Sequence, residues 1–136
     1  MKNIRDLSLE ELENELVLLG EKKFRAKQIY AWLFKGVNSF DEMTDLSKEL
    51  IQKLKDNYII ECLFLDAFQQ SKDGTIKYLF RLLDGHKIES VLMKYKFGYS
   101  ACISNQIGCK MGCKFCASTG IPFSRNLSSG DRKSVV

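Results

Sequence analysis

Three cysteines in the last quarter of the chain have the type and spacing to bind an inorganic cofactor. Cys109, Cys113 and Cys116 form a C-x3-C-x2-C pattern within eight residues. Thiolates are soft ligands that favour zinc, copper(I) or iron–sulfur centres. Three thiolates on one loop can bind three irons of a [4Fe–4S] cluster and leave the fourth open to a substrate, whereas electron carriers close all four positions with cysteine. The pattern therefore predicts a [4Fe–4S] cluster with one open iron.

Two other interpretations of these cysteines remain open. A structural zinc site needs four ligands, and Cys102, seven residues before the first of the three, could be the fourth. The thiols could also bind no metal. The single histidine, His86, lies beside a predicted turn and is expected to be exposed. Gly108 and Gly112 would let the loop turn tightly, and Phe115 would shield a cluster from water or pack in an ordinary core.

The elements that must position these cysteines belong to a chain of globular composition. The 136 residues are 45% hydrophobic and 28% charged, which suits one ordinary domain or two small ones and excludes a disordered chain. No apolar run approaches the roughly 18 residues that cross a bilayer, and the first residues lack the apolar segment of a secretory signal. We therefore expect no membrane association and a cytoplasmic location, where reducing conditions argue against a disulfide framework.

Basic charge is concentrated in the second part of the chain. Residues 1–60 carry 10 Lys and Arg against 11 Asp and Glu, whereas residues 61–136 carry 11 against 6, for a net charge of +4. A basic region is compatible with a polyanionic partner. An excess this small is more often typical of a solvated surface.

The first third of the chain predicts three helices. Ser8 and Glu11 have the spacing of a capping box, and leucines then recur every three or four residues. A second helix is predicted over residues 23–35, ended by Gly36, and a third after the N-cap candidate Ser47. The apolar faces hold Leu9, Leu12, Leu16 and Leu19 in the first helix, Ala26, Ile29, Tyr30, Trp32 and Leu33 in the second, and Leu50, Ile51 and Leu54 in the third.

The pattern then changes to that of an antiparallel sheet. Residues 59–68 are rich in β-forming side chains, and the tight-turn pairs Asp73-Gly74 and Asp84-Gly85 follow. Alternating apolar and polar residues between the turns predict a meander of about three strands. A further strand is predicted over residues 99–104, directly before the cysteines.

At the cysteines, the sequence resembles a known family. The C-x3-C-x2-C spacing with an aromatic residue before the last cysteine is similar to the radical S-adenosylmethionine (SAM) signature. The strings CISNQIGC (102–109), CASTG (116–120) and FSRNL (123–127) resemble the RlmN family of dual-specificity RNA methyltransferases. The strings GEKKFRAKQI (20–29), FDEMT (40–44) and IESVL (88–92) resemble it too, so the resemblance covers about residues 1–130.

The resemblance implies an activity and its cofactors. The family methylates carbon 2 of adenine in 23S rRNA and tRNA through a methyl-cysteine intermediate. A radical is needed because this electron-poor aromatic carbon has no lone pair to attack a methyl sulfonium, and a cofactor supplies such chemistry. We therefore expect a [4Fe–4S] cluster and S-adenosyl-L-methionine as cofactors, an electron donor such as flavodoxin, and a monomeric enzyme.

Two further residues match functional positions of the family. Glu89 matches the proton acceptor, and Cys102 matches the resolving thiol, which forms a transient disulfide with a cysteine that has no match in this chain. Without the family, Glu89 would be an ordinary strand-surface glutamate and Cys102 a small buried hydrophobe. Cys62 matches no functional position and is expected to be buried in a strand.

The resemblance also implies an α/β fold and a domain organisation. Residues 1–60 would form a helical accessory domain of RNA-binding type, and residues 61–94 the antiparallel meander. Residues 95–130 would hold the first strand and cluster loop of a truncated radical SAM partial (β/α) barrel. Residues 131–136 lack the family's apolar helix pattern and are expected to be a non-native tail. A complete barrel needs about 250 residues, so this chain is expected to be inactive.

Alternatives to the carbon-2 activity also come from the sequence. One is the related methyltransferase that modifies adenine carbon 8 and confers antibiotic resistance, although CASTG and RNL favour the carbon-2 enzyme. Another is a non-catalytic iron–sulfur or zinc module that binds RNA. The accessory domain, which the resemblance implies helps to hold RNA, has basic residues at four neighbouring positions: Lys22, Lys23, Arg25 and Lys27. Helical spacing spreads these residues around the helix, as on a solvated face.

Overall fold

The computed structural model describes residues 1–135, which fold as two units. The helical unit consists of Met1–Cys62 and Ser129–Ser134, and the sheet unit of Leu63–Ser128 with Val135. The helical unit contains β1 (Lys2–Asn3), α1 (Leu9–Leu18), α2 (Phe24–Phe34), α3 (Lys48–Asn57), β2 (Tyr58–Ile59) and α4 (Ser129–Lys133). Short 3-10 helices cover Ile4–Asp6 and Phe40–Glu42 in this unit and Ala117–Gly120 in the sheet unit.

The helices of the first unit begin where the sequence predicts. The hydroxyl of Ser8 accepts a hydrogen bond from the N–H of Glu11, whose carboxylate accepts one from the N–H of Ser8. Helix α3 follows Ser47, whose hydroxyl accepts from the N–H of Leu50 at 3.3 Å. These bonds satisfy amide groups that the first turn of a helix leaves unpaired. The predicted capping residues are therefore confirmed.

The three long helices share one apolar core. Its fully buried side chains recur at three- and four-residue intervals, as the amphipathic pattern predicts. They include Leu12, Leu16, Ala26, Ile29, Leu50 and Leu54. Tyr30 and Trp32, also predicted on the apolar face of α2, are only half-buried. The Tyr30 hydroxyl donates to the Leu7 carbonyl, and the Trp32 indole N–H donates to Asp45.

A short parallel strand pair forms within the helical unit. Strand β1 pairs with β2 through Lys2↔Tyr58 and Asn3↔Ile59. The β-forming stretch 59–68 is divided between two strands, since residues 58–59 pair within the helical unit and the first strand of the sheet begins at Phe64. The pairing partner lies more than fifty positions away in the sequence, so no local pattern indicates it.

Helix α4 packs on the start of the chain. The Lys133 ammonium donates to the carbonyls of Arg5 and Leu7 at 3.0 and 3.1 Å, and the N–H of Gly130 donates to Asp6 at 2.7 Å. Val136 lies outside the described residues. That residues 131–136 are a non-native tail stays a prediction.

The second unit is a four-stranded antiparallel sheet in the order β3 (Phe64–Gln70), β4 (Ile76–Arg81), β5 (Lys87–Tyr95) and β6 (Gly98–Ile103). The predicted turns at residues 73–74 and 84–85 join β3 to β4 and β4 to β5. The predicted meander of about three strands corresponds to β3, β4 and β5. The further strand predicted over residues 99–104 is β6, which a two-residue loop folds back onto β5 as a fourth antiparallel strand. The small core of this unit consists of Leu82, Ile88, Ile107 and Leu127.

None of the helices within residues 1–135 combines the length and the apolar character that crossing a membrane requires.

Candidate functional site

The three clustered cysteines lie on one closed excursion of the chain, residues 104–127, which we term the cysteine loop. Main-chain hydrogen bonds close its base: the N–H of Ile107 donates to the Arg125 carbonyl at 2.8 Å, and the N–H of Ser124 donates to the Ile107 carbonyl at 2.9 Å. An isolated bridge joins Gln106 and Asn126. The loop therefore leaves β6 and returns beside its own starting point.

Two glycines shape this loop in different ways. Gly108 has φ +70° and Gly112 φ +64°, angles that residues with side chains rarely adopt. A Cβ atom on Gly108 would lie 2.1 Å from the carbonyl oxygen of Pro122, whereas a Cβ on Gly112 would meet no atom within 4 Å. Gly108 is thus required by close approach of two chain segments, and Gly112 by backbone conformation alone.

The turn between β4 and β5 anchors the returning arm of the cysteine loop. The Arg125 guanidinium contacts Asp84 Oδ2 through Nε at 2.8 Å and Nη2 at 2.7 Å, and the Ser124 hydroxyl lies 3.0 Å from His86 Nε2. Burial raises the pKa of Asp84, but hydrogen bonds from Arg125 and the His86 N–H outweigh it, so this pKa lies below its ordinary value. His86 is exposed as predicted, and its Nε2 atom has the Ser124 hydroxyl as a partner.

The thiols differ in exposure and in local hydrogen bonding. Cys109 and Cys113 are half-buried and Cys116 is exposed. The N–H of Met111 points at Cys109 Sγ from 3.5 Å, the kind of contact that tunes iron–sulfur potentials. The Thr119 hydroxyl donates to the Cys113 carbonyl at 2.6 Å and fixes the turn between the second and third thiols.

Phe115 does not pack in an ordinary core, since its side chain is 94% exposed. That it shields a bound cluster from water stays a prediction.

The donor set of the loop fits an iron–sulfur cluster. Three thiolates are the ligands that such clusters take, and an amide N–H is directed at one of the sulfurs. Within residues 1–135, no three His, Cys, Asp or Glu side chains are grouped around a position for a single metal ion. A cubane cluster does not require such a group because each thiolate binds a different iron.

Glu89 and Cys102 occupy one face of the sheet. Val91 on β5 pairs directly with Cys102 on β6, and side chains alternate between faces along a strand. Glu89, two residues before Val91, therefore points to the same side as Cys102, and the Ser104 hydroxyl donates to the Glu89 carbonyl at 2.8 Å. Diagonal neighbours of this kind are generally about 7–8 Å apart.

Both side chains on this face are open to solvent. Glu89 forms an ion pair with Lys77 on the neighbouring strand at 2.8 Å, beside a shallow depression that Leu79 also lines. Cys102 is exposed, so it is not the small buried hydrophobe that its residue type alone would suggest; its role as the resolving thiol stays a prediction. Lys77 was not predicted as part of the site, although its place between apolar residues of β4 marks it as facing this side.

The remaining predicted groups lie in the helical unit. Cys62 is half-buried in the segment after β2, so its predicted place within a strand was wrong; its Sγ lies 2.9 Å from Asn38 Oδ1, and burial raises its pKa. Lys22 and Lys23 are exposed just before α2, and Arg25 bonds Gln28 at 2.8 Å. All five cysteines are free thiols.

Comparison with known proteins identifies relatives that are similar to this chain in sequence. Residues 2–60 match the model of the ribosomal RNA large subunit methyltransferase N-terminal domain. The chain is 52% identical over 136 residues to the probable dual-specificity RNA methyltransferase RlmN of Staphylococcus aureus strain JH9, and equally to that of strain Newman. These alignments cover 99% of this chain and 37% of each relative, so the chain spans little more than a third of their length.

A solved structure shows the same fold. The crystal structure of a radical SAM methyltransferase from Sphaerobacter thermophilus matches with a TM-score of 0.85 and 39% identity, over 97% of this chain and 39% of that one. The predicted mixed α/β fold, with its helices and antiparallel sheet, is therefore confirmed. Taken with the matched N-terminal domain and the identity along nearly the whole chain, these likenesses show that the chain belongs to the RlmN family of radical SAM methyltransferases.

Proposed function

We propose that this chain contributes the cluster loop and part of the catalytic face of an enzyme that methylates adenine carbon 2 in 23S rRNA and tRNA. The observation that carries the proposal is the register of β5 and β6. It puts Glu89 and Cys102 on one exposed face, and β6 leads directly into the loop with three thiols. The similarity to proteins named dual-specificity RNA methyltransferases supports the substrate class.

Cys109, Cys113 and Cys116 would hold the [4Fe–4S] cluster, and the open iron would be the position for S-adenosyl-L-methionine. When bound, these cofactors would supply the radical that activates a methyl group for addition to an aromatic carbon. The loop's own contribution is to preorganise the thiols. The closed base, the Gly108 contact with Pro122 and the Asp84–Arg125 pair would hold them before the cluster arrives.

Glu89 would remove the proton from carbon 2 once the methyl group has been added. A carboxylate suits this task because it can act as a general base when it is positioned beside the proton that it removes. Lys77, 2.8 Å from the carboxylate, holds it on that face. The Glu89 position is open, so a base extruded from its stack could approach it.

Cys102 would release the product. Its thiolate would attack the sulfur of the methyl-carrying cysteine, so that a disulfide forms as the bond between that sulfur and the base's new carbon breaks. The departing carbon would keep the electron pair and take up a proton, which completes the methyl group. The exposed position of Cys102 on the face of Glu89 is compatible with this attack. The attacked cysteine has no match in these 136 residues, and the chain alone is therefore proposed to be inactive.

The wider assignments belong to the same proposal. Residues 1–60 would act as an accessory domain for RNA, residues 61–94 as a connecting meander, and residues 95–130 as the start of the radical SAM core. A flavodoxin-type protein would donate the electron, and the enzyme would work as a cytoplasmic monomer.

The first experiment tests the cluster ligands. The chain is reconstituted anaerobically with iron and sulfide and studied by iron analysis and Mössbauer spectroscopy. We expect about four irons per wild-type chain and a large loss in Cys113→Ala, because a second iron would then lack a protein ligand. Cys62→Ala is the matched control, since Cys62 lies outside the loop. Unchanged iron content and spectra in Cys113→Ala would show that the ligand assignment is wrong.

The second experiment separates a fourth ligand from a resolving thiol. If Cys102 is the resolving thiol, Cys102→Ala should keep the cluster, since three thiolates still hold it. In a full-length family member, the same change should trap methylated RNA covalently on the protein. Metal loss equal to that of Cys109→Ala would favour a four-cysteine site. Mass spectrometry of the product separates methylation at carbon 2 from methylation at carbon 8.

A further inference from the structure

The tip of the β5–β6 hairpin is unlike the other turns of the sheet. Its two-residue loop is Lys96–Phe97, closed by Gly98 at φ +135°, an angle that residues with side chains rarely adopt. Tyr95 is 46%, Phe97 85% and Tyr99 67% exposed. Large aromatic side chains are usually well buried, so three of them exposed within five residues need an explanation.

The aromatic side chains of this tip are ordered relative to one another. The rings of Tyr95 and Phe97 stack with centroids 5.0 Å apart and planes 5° apart. Tyr95 covers one face of the Phe97 ring, and the high exposure of Phe97 leaves its other face open. On the opposite side of the hairpin, Tyr99 pairs with Lys94 across the strands. Flat, open ring faces of this kind can each receive a nucleobase.

The charge of this region is of one sign. Residues 90–128 contain five Lys and Arg and no Asp or Glu. Within that stretch Lys94 and Lys96 flank the aromatic residues, and neither takes part in the salt bridges found among residues 1–135. A protein partner with an apolar surface would not need these lysines, whereas phosphates between successive bases would be matched by them.

We propose that the hairpin tip, Lys94–Tyr99, is a stacking platform for an unpaired segment of RNA. A base stacks on the open face of Phe97, and Lys96 next to it contacts a neighbouring phosphate. The strand then passes around the tip, where Lys94 and Tyr99 contact it on the opposite side of the hairpin. Duplex RNA cannot use the platform because its bases are already stacked and paired. The inference rests on the proposed function for the nature of the partner, and it adds a contact surface separate from the cysteines.

Binding of a fluorescently labelled 15-nucleotide single-stranded RNA to the 136-residue chain, followed by anisotropy, tests the platform. The same strand in a duplex is the second ligand. We expect tighter binding of the single strand, and a loss of about fivefold or more in Phe97→Leu, since leucine is apolar but cannot stack. Phe97→Trp should bind within about twofold of wild type, because it restores the ring. Leu83→Ala, at the exposed tip of the β4–β5 turn, is the matched control and should bind like wild type.

The lysines are tested by the dependence of affinity on salt. Affinity for single-stranded RNA should fall less steeply with salt when both lysines are removed in Lys94→Ala/Lys96→Ala. The magnitude of the slope of log K against log salt should decrease by about 1.4, since each single-strand phosphate contact contributes about 0.7. Lys72→Ala, at the β3–β4 turn beside Asp73, should leave the slope unchanged.

The outcomes separate the platform from the enzyme assignment. No single-strand binding by wild type, no change in Phe97→Leu, or equal losses for single strand and duplex would overturn the platform. Iron content of the hairpin variants should equal that of wild type, and Cys109→Ala should lose iron yet bind RNA normally. If RNA binding does not depend on Phe97 but the iron content behaves as expected, the platform is wrong and the proposed function stands. If RNA binding depends on Phe97 but the iron content does not depend on the three cysteines, the platform stands and the cluster assignment is wrong.

Discussion

The two units of this chain are stabilised in different ways. In the helical unit, thirteen apolar side chains form one buried core, whereas the buried core of the sheet unit has four. The sheet instead exposes many large apolar side chains, among them Phe64, Leu65, Phe68, Phe97 and Phe115. Its order comes from antiparallel main-chain pairing, positive-φ glycines and polar clamps such as Asp84–Arg125. Every residue to which we assign a chemical role lies in this less buried unit.

The difference teaches where stability and chemistry are each encoded. Burial fixes the helical unit, and substitutions there should act through packing. Groups that must reach a cluster, a base or a sulfur have to remain accessible, so the sheet unit holds them by backbone geometry. Three predictions test this contrast, in order of expected effect.

The largest effect is expected in the helical core. Leu54 is fully buried, and Leu54→Ala should lower the free energy of unfolding by about 2–5 kcal/mol, because it removes apolar contacts and leaves a cavity. Leu65→Ala on the sheet, where the side chain is 52% exposed, should change it by less than about 1 kcal/mol. Urea denaturation followed by circular dichroism measures both. Equal losses would mean that the units do not differ in this way.

An intermediate effect is expected at the glycines of the cysteine loop. Gly108→Ala brings a Cβ atom against the Pro122 carbonyl as well as forcing a positive φ, so the base of the loop should open. Gly112→Ala carries only the conformational cost of about 1–2 kcal/mol. Hydrogen exchange of the Ile107 amide, which bonds Arg125, should accelerate strongly in the first variant and little in the second. The Leu12 amide in α1 should not respond in either, and similar exchange in both variants would argue against the close approach.

The smallest effect is expected at the loop clamp, where it should depend on pH. Because the pKa of Asp84 is lowered in the folded state, its contribution is present above the ordinary value of 3.8 and is lost as pH falls below it. Asp84→Asn should therefore destabilise the loop by less than about 1 kcal/mol at neutral pH, as for other exposed ion pairs. The difference should shrink as the pH falls below 3.8 and disappear once it has passed through the lowered pKa of Asp84. Ile107 amide protection, compared between the two proteins across pH, measures it, and a difference that grows in acid would contradict the assignment.

Sequence reasoning succeeded where structure is local. The capping box at Ser8, the N-cap at Ser47 and the two Asp-Gly turns follow from contacts within a few residues, and each is where it was predicted. The burial pattern of α1 to α3 also follows from helical periodicity. The C-x3-C-x2-C pattern led to the family because its ligands are close in sequence.

The sequence was insufficient where contacts are long-range. The Asp84–Arg125 pair joins residues 41 positions apart in the sequence. Strand β1 at the start of the helical unit pairs with β2, which follows the third helix. The exposure of Phe115 and Cys102 could not be inferred from residue type, because apolar character predicts burial only when another layer covers the side chain. The shared face of Glu89 and Cys102 required the strand register, which the hairpin loop determines.

That register has a consequence for how this segment can vary over evolution. Side-chain direction along β6 depends only on whether a residue stands an odd or an even number of positions from Gly98. One residue inserted between Gly98 and Cys102 would turn the thiol to the opposite face without changing any chemical group, and a second insertion would restore it. Relatives should therefore tolerate substitutions in this strand far better than single-residue insertions or deletions, and length differences here should occur in steps of two.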